Sequence, residues 1–155
     1  MNAKEFLQQI EKLDRLIENK MAEAQQWRDI ANNTTVNMSG EKVSSSGSHD
    51  IVANAICKYM DLDAEIAREI DKLIAARKDV IGVIEQLSAA EYDILHKHYV
   101  QGFTFGDLAI TYDCSYSGVT SRHNRALKSV QKILDIREER LAEIKALKGE
   151  ICRNH

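Results

Sequence analysis

Between residues 115 and 132 the chain sets Ser115, Tyr116, Ser117, Thr120, Ser121 and Asn124 among four cations, Arg122, Arg125, Lys128 and Lys132, with no acidic residue in the stretch. Hydroxyl and amide groups hydrogen-bond base edges, and guanidinium and ammonium groups bind phosphate oxygens, so the chemistry on offer is recognition of a polyanion. Helical spacing puts Val119, Ala126, Leu127 and Val130 on one side and turns Tyr116, Ser117, Thr120, Ser121 and Asn124 outward. Short side chains near a helix N-terminus reach into a groove, while longer cations behind them lie against the backbone and fix register. The positive end of the helix dipole and the free N–H groups near Ser115 favour a phosphate as well. The plain alternative is a three-helix bundle with a solvated basic face.

Capping signals place the elements that carry this stretch. Ser88 and Glu91 form a capping box, in which the hydroxyl covers an orphan N–H and the carboxylate reaches back to the cap's own N–H. A first helix is expected from about residue 89 to 100, broken by Gln101 and Gly102. Thr104 with Asp107 repeats the signal and starts a second helix over 105–112, with Leu108 and Ala109 inward. Asp113 and Cys114 form the turn, Cys114 filling a small apolar slot, and Ser115 caps the third helix.

These residues resemble region 4 of bacterial sigma factors, the module that reads the promoter −35 element. The likeness rests on Leu87, Glu91, Leu95, Tyr99, the Gly102-Phe103-Thr104 link, Leu108-Ala109, Ser115, Val119, Ser121-Arg122 and Arg125-Ala126-Leu127, over about 48 residues. It implies that Tyr116, Ser117, Thr120, Ser121 and Asn124 read bases, and that Thr104, Arg122 and Arg125 hold phosphates, with Ser115 and Lys128 completing the DNA-binding set. His123 departs from the pattern, standing where many such modules place an apolar residue.

What precedes the motif is coiled-coil-like. Phe6, Ile10, Leu13, Ile17, Met21, Ala24, Trp27 and Ala31 recur at intervals of three and four behind an Asn2–Glu5 cap. A second seam runs through Val52, Ile56, Tyr59, Ile66, Ile70, Leu73, Val80, Ile84 and Leu87, interrupted at Asp63 and Arg77; its helix spans about 38 residues, or about 57 Å. Residues 32–49, rich in Asn, Ser, Thr and Gly, read as a flexible connection. After residue 134, Leu141, Ile144, Leu147 and Ile151 keep a helical stripe with Ile133, so the third helix extends into a packing arm; a frayed tail after Arg137 is the other reading.

The expected fold is therefore all-α: a long antiparallel helical hairpin over 1–87, a sigma region 4-like helix-turn-helix over 88–134, and a helical C-terminal extension over 135–155. Coiled coil followed by such a reader resembles small transcriptional regulators of phages and prophages, including activators of late genes. That resemblance implies a sequence-specific DNA-binding regulator acting at promoters on double-stranded DNA, with RNA polymerase as a further contact. A hairpin burying only two facing stripes wants a partner, and a homodimer supplies one.

Charge supports a division of labour. Residues 1–87 carry 11 Lys and Arg against 15 Asp and Glu, residues 88–134 carry 5 against 4, and the tail 5 against 5. The DNA footprint is thus expected on the third helix, with the acidic hairpin away from DNA. Enzymatic readings fare badly, because no Gly-rich phosphate loop, nucleophile elbow or metal-spaced His and Glu pair is present. His96 and His98, two apart on a helix, cannot share a metal and read as surface or phosphate-adjacent residues. No cofactor, no metal and no membrane span is expected. Three widely spaced cysteines without a secretory signal imply reduced thiols and a cytoplasmic location. Two other readings fit the same elements: a small terminase-like DNA-packaging component, and a protein-interaction module that leaves DNA alone.

Overall fold

In a computed structural model, which describes residues 1–36 and 46–153, the chain is all-helical. Two long helices, α1 (Ala3–Val36) and α2 (Ser46–Ile84), precede α3 (Ala89–Leu95), a π-helical turn (His96–Val100), α4 (Phe105–Thr111) and α5 (Tyr116–Arg153). With no proline in the chain, nothing forces a break inside the long helices. Asn2 caps α1, its side chain accepting from the Glu5 N–H at 2.8 Å. The expected loop over 32–49 is shorter than its composition suggests, because α1 continues through Val36 and α2 starts at Ser46; residues 37–45 lie outside the described residues. Asn and Thr are weak helix formers, and a helix already propagating for some thirty residues runs on through them.

The chain divides into two compact units, one over Glu11–Ala75, the other joining Met1–Ile10 to everything from Ala76 onward. In the first, α1 and α2 run antiparallel around Ile17, Ala24 and Ile66, with Tyr59, Leu62 and Leu73 packed against them. Two seam positions differ from the expected pattern. Met21 is 55% exposed and Lys20 takes its place, while Ile70 is 41% exposed and the better shielded position is Glu69. A strict four-three alternation through residues 55, 59, 62, 66, 69 and 73 leaves Glu69 on the inner side, and Lys20 answers it: its ammonium lies 2.9 Å from Glu65 and 3.9 Å from Glu69. Asp63, expected to interrupt the seam, flanks it and receives both oxygens' worth of hydrogen bonds from Arg28, at 2.5 and 2.6 Å. The same guanidinium lies over the Tyr59 ring.

In the second unit the last turns of α2 and the first turns of α1 pack with the three-helix segment. Its core holds Phe6, Leu7, Ile10, Val80, Val83, Ile84, Leu95, Leu108, Val119 and Val130, all buried. The N-terminus is tied to α5: the Ala3 N–H donates to Gln131 at 2.7 Å and the terminal ammonium lies 3.0 Å from Glu138. Arg137 reaches Asp79 at 2.9 Å, and Arg77 donates to the Val100 carbonyl at 3.4 Å. Beyond Arg137, α5 continues as helix to Arg153, with Leu141, Ile144 and Leu147 about half exposed or more. No helix among the described residues is long and apolar enough to cross a membrane.

Candidate nucleic-acid interface

Three caps set the helices that frame the site. The Ser88 hydroxyl accepts from the Glu91 N–H at 3.4 Å, and the Glu91 carboxylate reaches back to the Ser88 N–H at 3.3 Å. Thr104 and Asp107 do the same at 3.1 and 2.9 Å. Ser115 accepts from the Gly118 N–H at 3.1 Å and so caps α5. Between α4 and α5 the chain turns through Asp113, whose φ of 48° is left-handed. There the Cys114 N–H bonds the Ala109 carbonyl at 3.0 Å and the Asp113 N–H bonds that of Ile110 at 3.3 Å, a Schellman closure with Asp where Gly is usual. Cys114 is half-buried beside Gly118, where an added Cβ would come within 3.8 Å of its sulfur.

The first helix is expected to be regular to residue 100, but its last turn is π-helical, the Gln101 N–H reaching the His96 carbonyl at 3.0 Å. The wider turn comes just before Gly102, whose φ of 79° lets the chain reverse. Tyr99 is buried, and its hydroxyl shares a hydrogen bond with His123 Nε2 at 2.9 Å. His123 is only 5% exposed, packed among the rings of Tyr99, Phe105 and His98. The apolar slot is thus filled by an imidazole that keeps a partner for its polar edge. Burial, and secondarily the His98 charge, push its pKa down to about 4, so the ring is neutral at pH 7. His98 is not a surface residue either: its Nδ1–H donates to the Phe103 carbonyl at 2.6 Å and its ring packs on Tyr99 and Phe105.

On α5, Tyr116, Ser117, Ser121, Arg122, Asn124, Arg125 and Lys128 are exposed, Thr120 is half-buried, and Val119, Ala126 and Val130 are buried, with Leu127 intermediate. The outward face therefore assembles as spaced in the sequence. Hydrogen bonding narrows what each group can offer. The Thr104 hydroxyl donates to the Asp107 carboxylate at 2.7 Å, which leaves it no hydrogen for a phosphate, and Thr120 donates to the Tyr116 carbonyl at 3.0 Å. Ser117 and Ser115 share a hydrogen bond at 3.2 Å.

Among the described residues no ion pair involves Arg122, Arg125, Lys128 or Lys132. The nearby acids have other partners. Glu91 accepts from Ser129 at 2.7 Å, and this bond, ahead of those from Ser88, holds its pKa below the usual carboxylate range. Asp93 accepts from Lys97 and from the Tyr112 hydroxyl, which hold it low in that order; burial and then the Asp93 charge and bond raise the Tyr112 pKa. Tyr112 also lies under Arg122, whose guanidinium carbon is 5.9 Å from the ring centroid. Asp93, Tyr112 and Ser129 were not legible as site residues, since they sit on three elements with no local spacing to connect them. No family model, curated protein or solved structure matches the chain.

Proposed function

We propose that this chain is a sequence-specific DNA-binding transcriptional regulator that reads double-stranded DNA with the N-terminal half of α5. The observation that carries the reading is the set of four cations on a capped, three-helix reader that have no carboxylate partner, alongside exposed Ser121 and Asn124. Unpaired cations beside short polar side chains suit phosphates flanking a groove. Following the resemblance to phage and prophage late-gene regulators, it acts at promoters with RNA polymerase as a further contact. One reader with four cations makes few contacts, so it works as a homodimer whose two readers meet two half-sites. The exposed stripe Leu141, Ile144 and Leu147 offers surface for that pairing. The role proposed is one of binding rather than catalysis.

Fluorescence anisotropy on a duplex across a salt series tests the reading. Affinity should fall linearly on logarithmic axes, with a slope of about −0.9 per phosphate contacted. Selection of bound fragments from the source genome should then enrich promoter-proximal sites. Salt-insensitive or absent binding would overturn the proposal, and a monomer by light scattering at micromolar concentration would remove the homodimer.

A further inference from the structure

We propose that the cleft between the start of α3, Tyr112 and α5 binds a small organic phosphate. Ser88, Ala90, Ile94, Tyr112, Arg122 and Arg125 line a space of about 500 Å³, a size that holds a small ligand. Two carboxylates, Glu91 and Asp93, share the cleft with the two guanidiniums, yet neither acid pairs with either arginine. Glu91 is taken up by Ser88 and Ser129, at 2.9 and 2.7 Å, and Asp93 by Lys97 and Tyr112. Arg122 rests over the Tyr112 ring, and Arg125 spends only its Nε–H, on its own helix at the Ser121 carbonyl. Among the described residues each guanidinium has a weak contact at its stem or face, and no hydrogen bond takes its forked N–H donors.

Two steadied forks beside one cleft match a dianionic phosphate, which guanidinium groups bind through paired hydrogen bonds. The two carboxylates shape the rest of the ligand. With Lys97 paired to Asp93, cations outnumber carboxylates around the cleft, which suits one phosphate; a body with a second anionic group would meet Glu91, whereas a neutral ring or chain lies against Ala90 and Ile94. The ligand class is therefore a monophosphate ester with an uncharged organic part. Because Arg122 and Arg125 also belong to the proposed DNA face, an occupied cleft removes both from the nucleic-acid backbone, and such a phosphate acts as a negative effector. The cleft itself does not depend on the DNA reading.

The test is calorimetric titration of the full chain with phenyl phosphate and, separately, inorganic phosphate. Saturable millimolar binding of phenyl phosphate, about fivefold tighter than inorganic phosphate, is expected from the added apolar contact. Arg122→Gln and Arg125→Gln should each weaken it about tenfold, as loss of a charge-assisted hydrogen bond does. Arg140→Gln, which removes the same charge from an exposed part of α5, should leave it unchanged. Equal loss in Arg140→Gln, or no advantage of phenyl phosphate, would reduce the effect to general charge and overturn the proposal. So would duplex DNA binding that depends on Arg122 and Arg125 when phenyl phosphate does not saturate, since the arginines would then serve the DNA backbone alone.

Discussion

A buried imidazole makes the three-helix segment sensitive to acid. His123 titrates near 6.5 when unfolded and near 4 in the fold, so its contribution to stability is complete above pH 6.5 and is lost as pH falls toward 4. Urea denaturation should show a loss on the order of 2 kcal/mol between pH 7 and pH 5 from this residue. In His123→Leu that part of the pH dependence should disappear; an unchanged slope would remove His123 as its source. Among the outward residues, Arg125→Ala should weaken binding to all duplexes alike and flatten the salt dependence by about one unit. Asn124→Ala should instead relax preference at one or two base pairs, by about 1–3 kcal/mol. If both variants affect specific and random DNA equally, the division into readers and phosphate holders is wrong. The exposed face was legible in the sequence because helix periodicity assigns sides without knowing the neighbours. The His123 partner was not, because Tyr99 and His123 lie 24 residues apart on different elements with no local spacing to connect them.

The caps of the short helices are local pairs three residues apart, which is why Ser88 with Glu91, Thr104 with Asp107 and Ser115 could be read directly. The long seams were legible only to within a residue. Ranking positions by apolarity selects Met21 and Ile70, whereas the packed frame takes Lys20 and Glu69, whose charges make sense only once the two helices face each other. Between α4 and α5 the chain turns through Asp113 in a left-handed conformation. Asp tolerates a left-handed conformation better than most residues but less well than Gly, so Asp113→Gly should raise stability by up to about 1 kcal/mol. Asp113→Val should lower it by about 1–3 kcal/mol. Thermal melts of the two variants check this, and a shift of the same sign in both would exclude backbone strain as the cause.

For the whole molecule, the unit that carries the proposed DNA face is more than the residues between the first cap and Leu134. Phe6, Leu7 and Ile10 belong to its core, so deleting residues 1–10 removes three large buried side chains, each contributing about 1.5–3 kcal/mol. The truncated chain should lose DNA binding and the cooperative unfolding of that unit, while circular dichroism still reports helix from the Glu11–Ala75 pair. Val119→Asp, which puts a charge into the same core, should do likewise. Native affinity in either variant would show that the inner face has been misassigned. No sequence pattern links the two ends of the chain, because a contact such as Ala3 with Gln131 spans 128 residues and leaves no periodic trace. It does set an order of events during synthesis. The Ala3 contact with Gln131 forms only once residue 131 has left the ribosome, roughly 6–25 s after residue 3 at about 5–20 residues per second. Until then the core that holds Phe6 and Leu7 lacks its α5 share, Val119, Ala126 and Val130. A chain interrupted before α5 therefore leaves that core incomplete and presents its apolar side chains to chaperones and proteases.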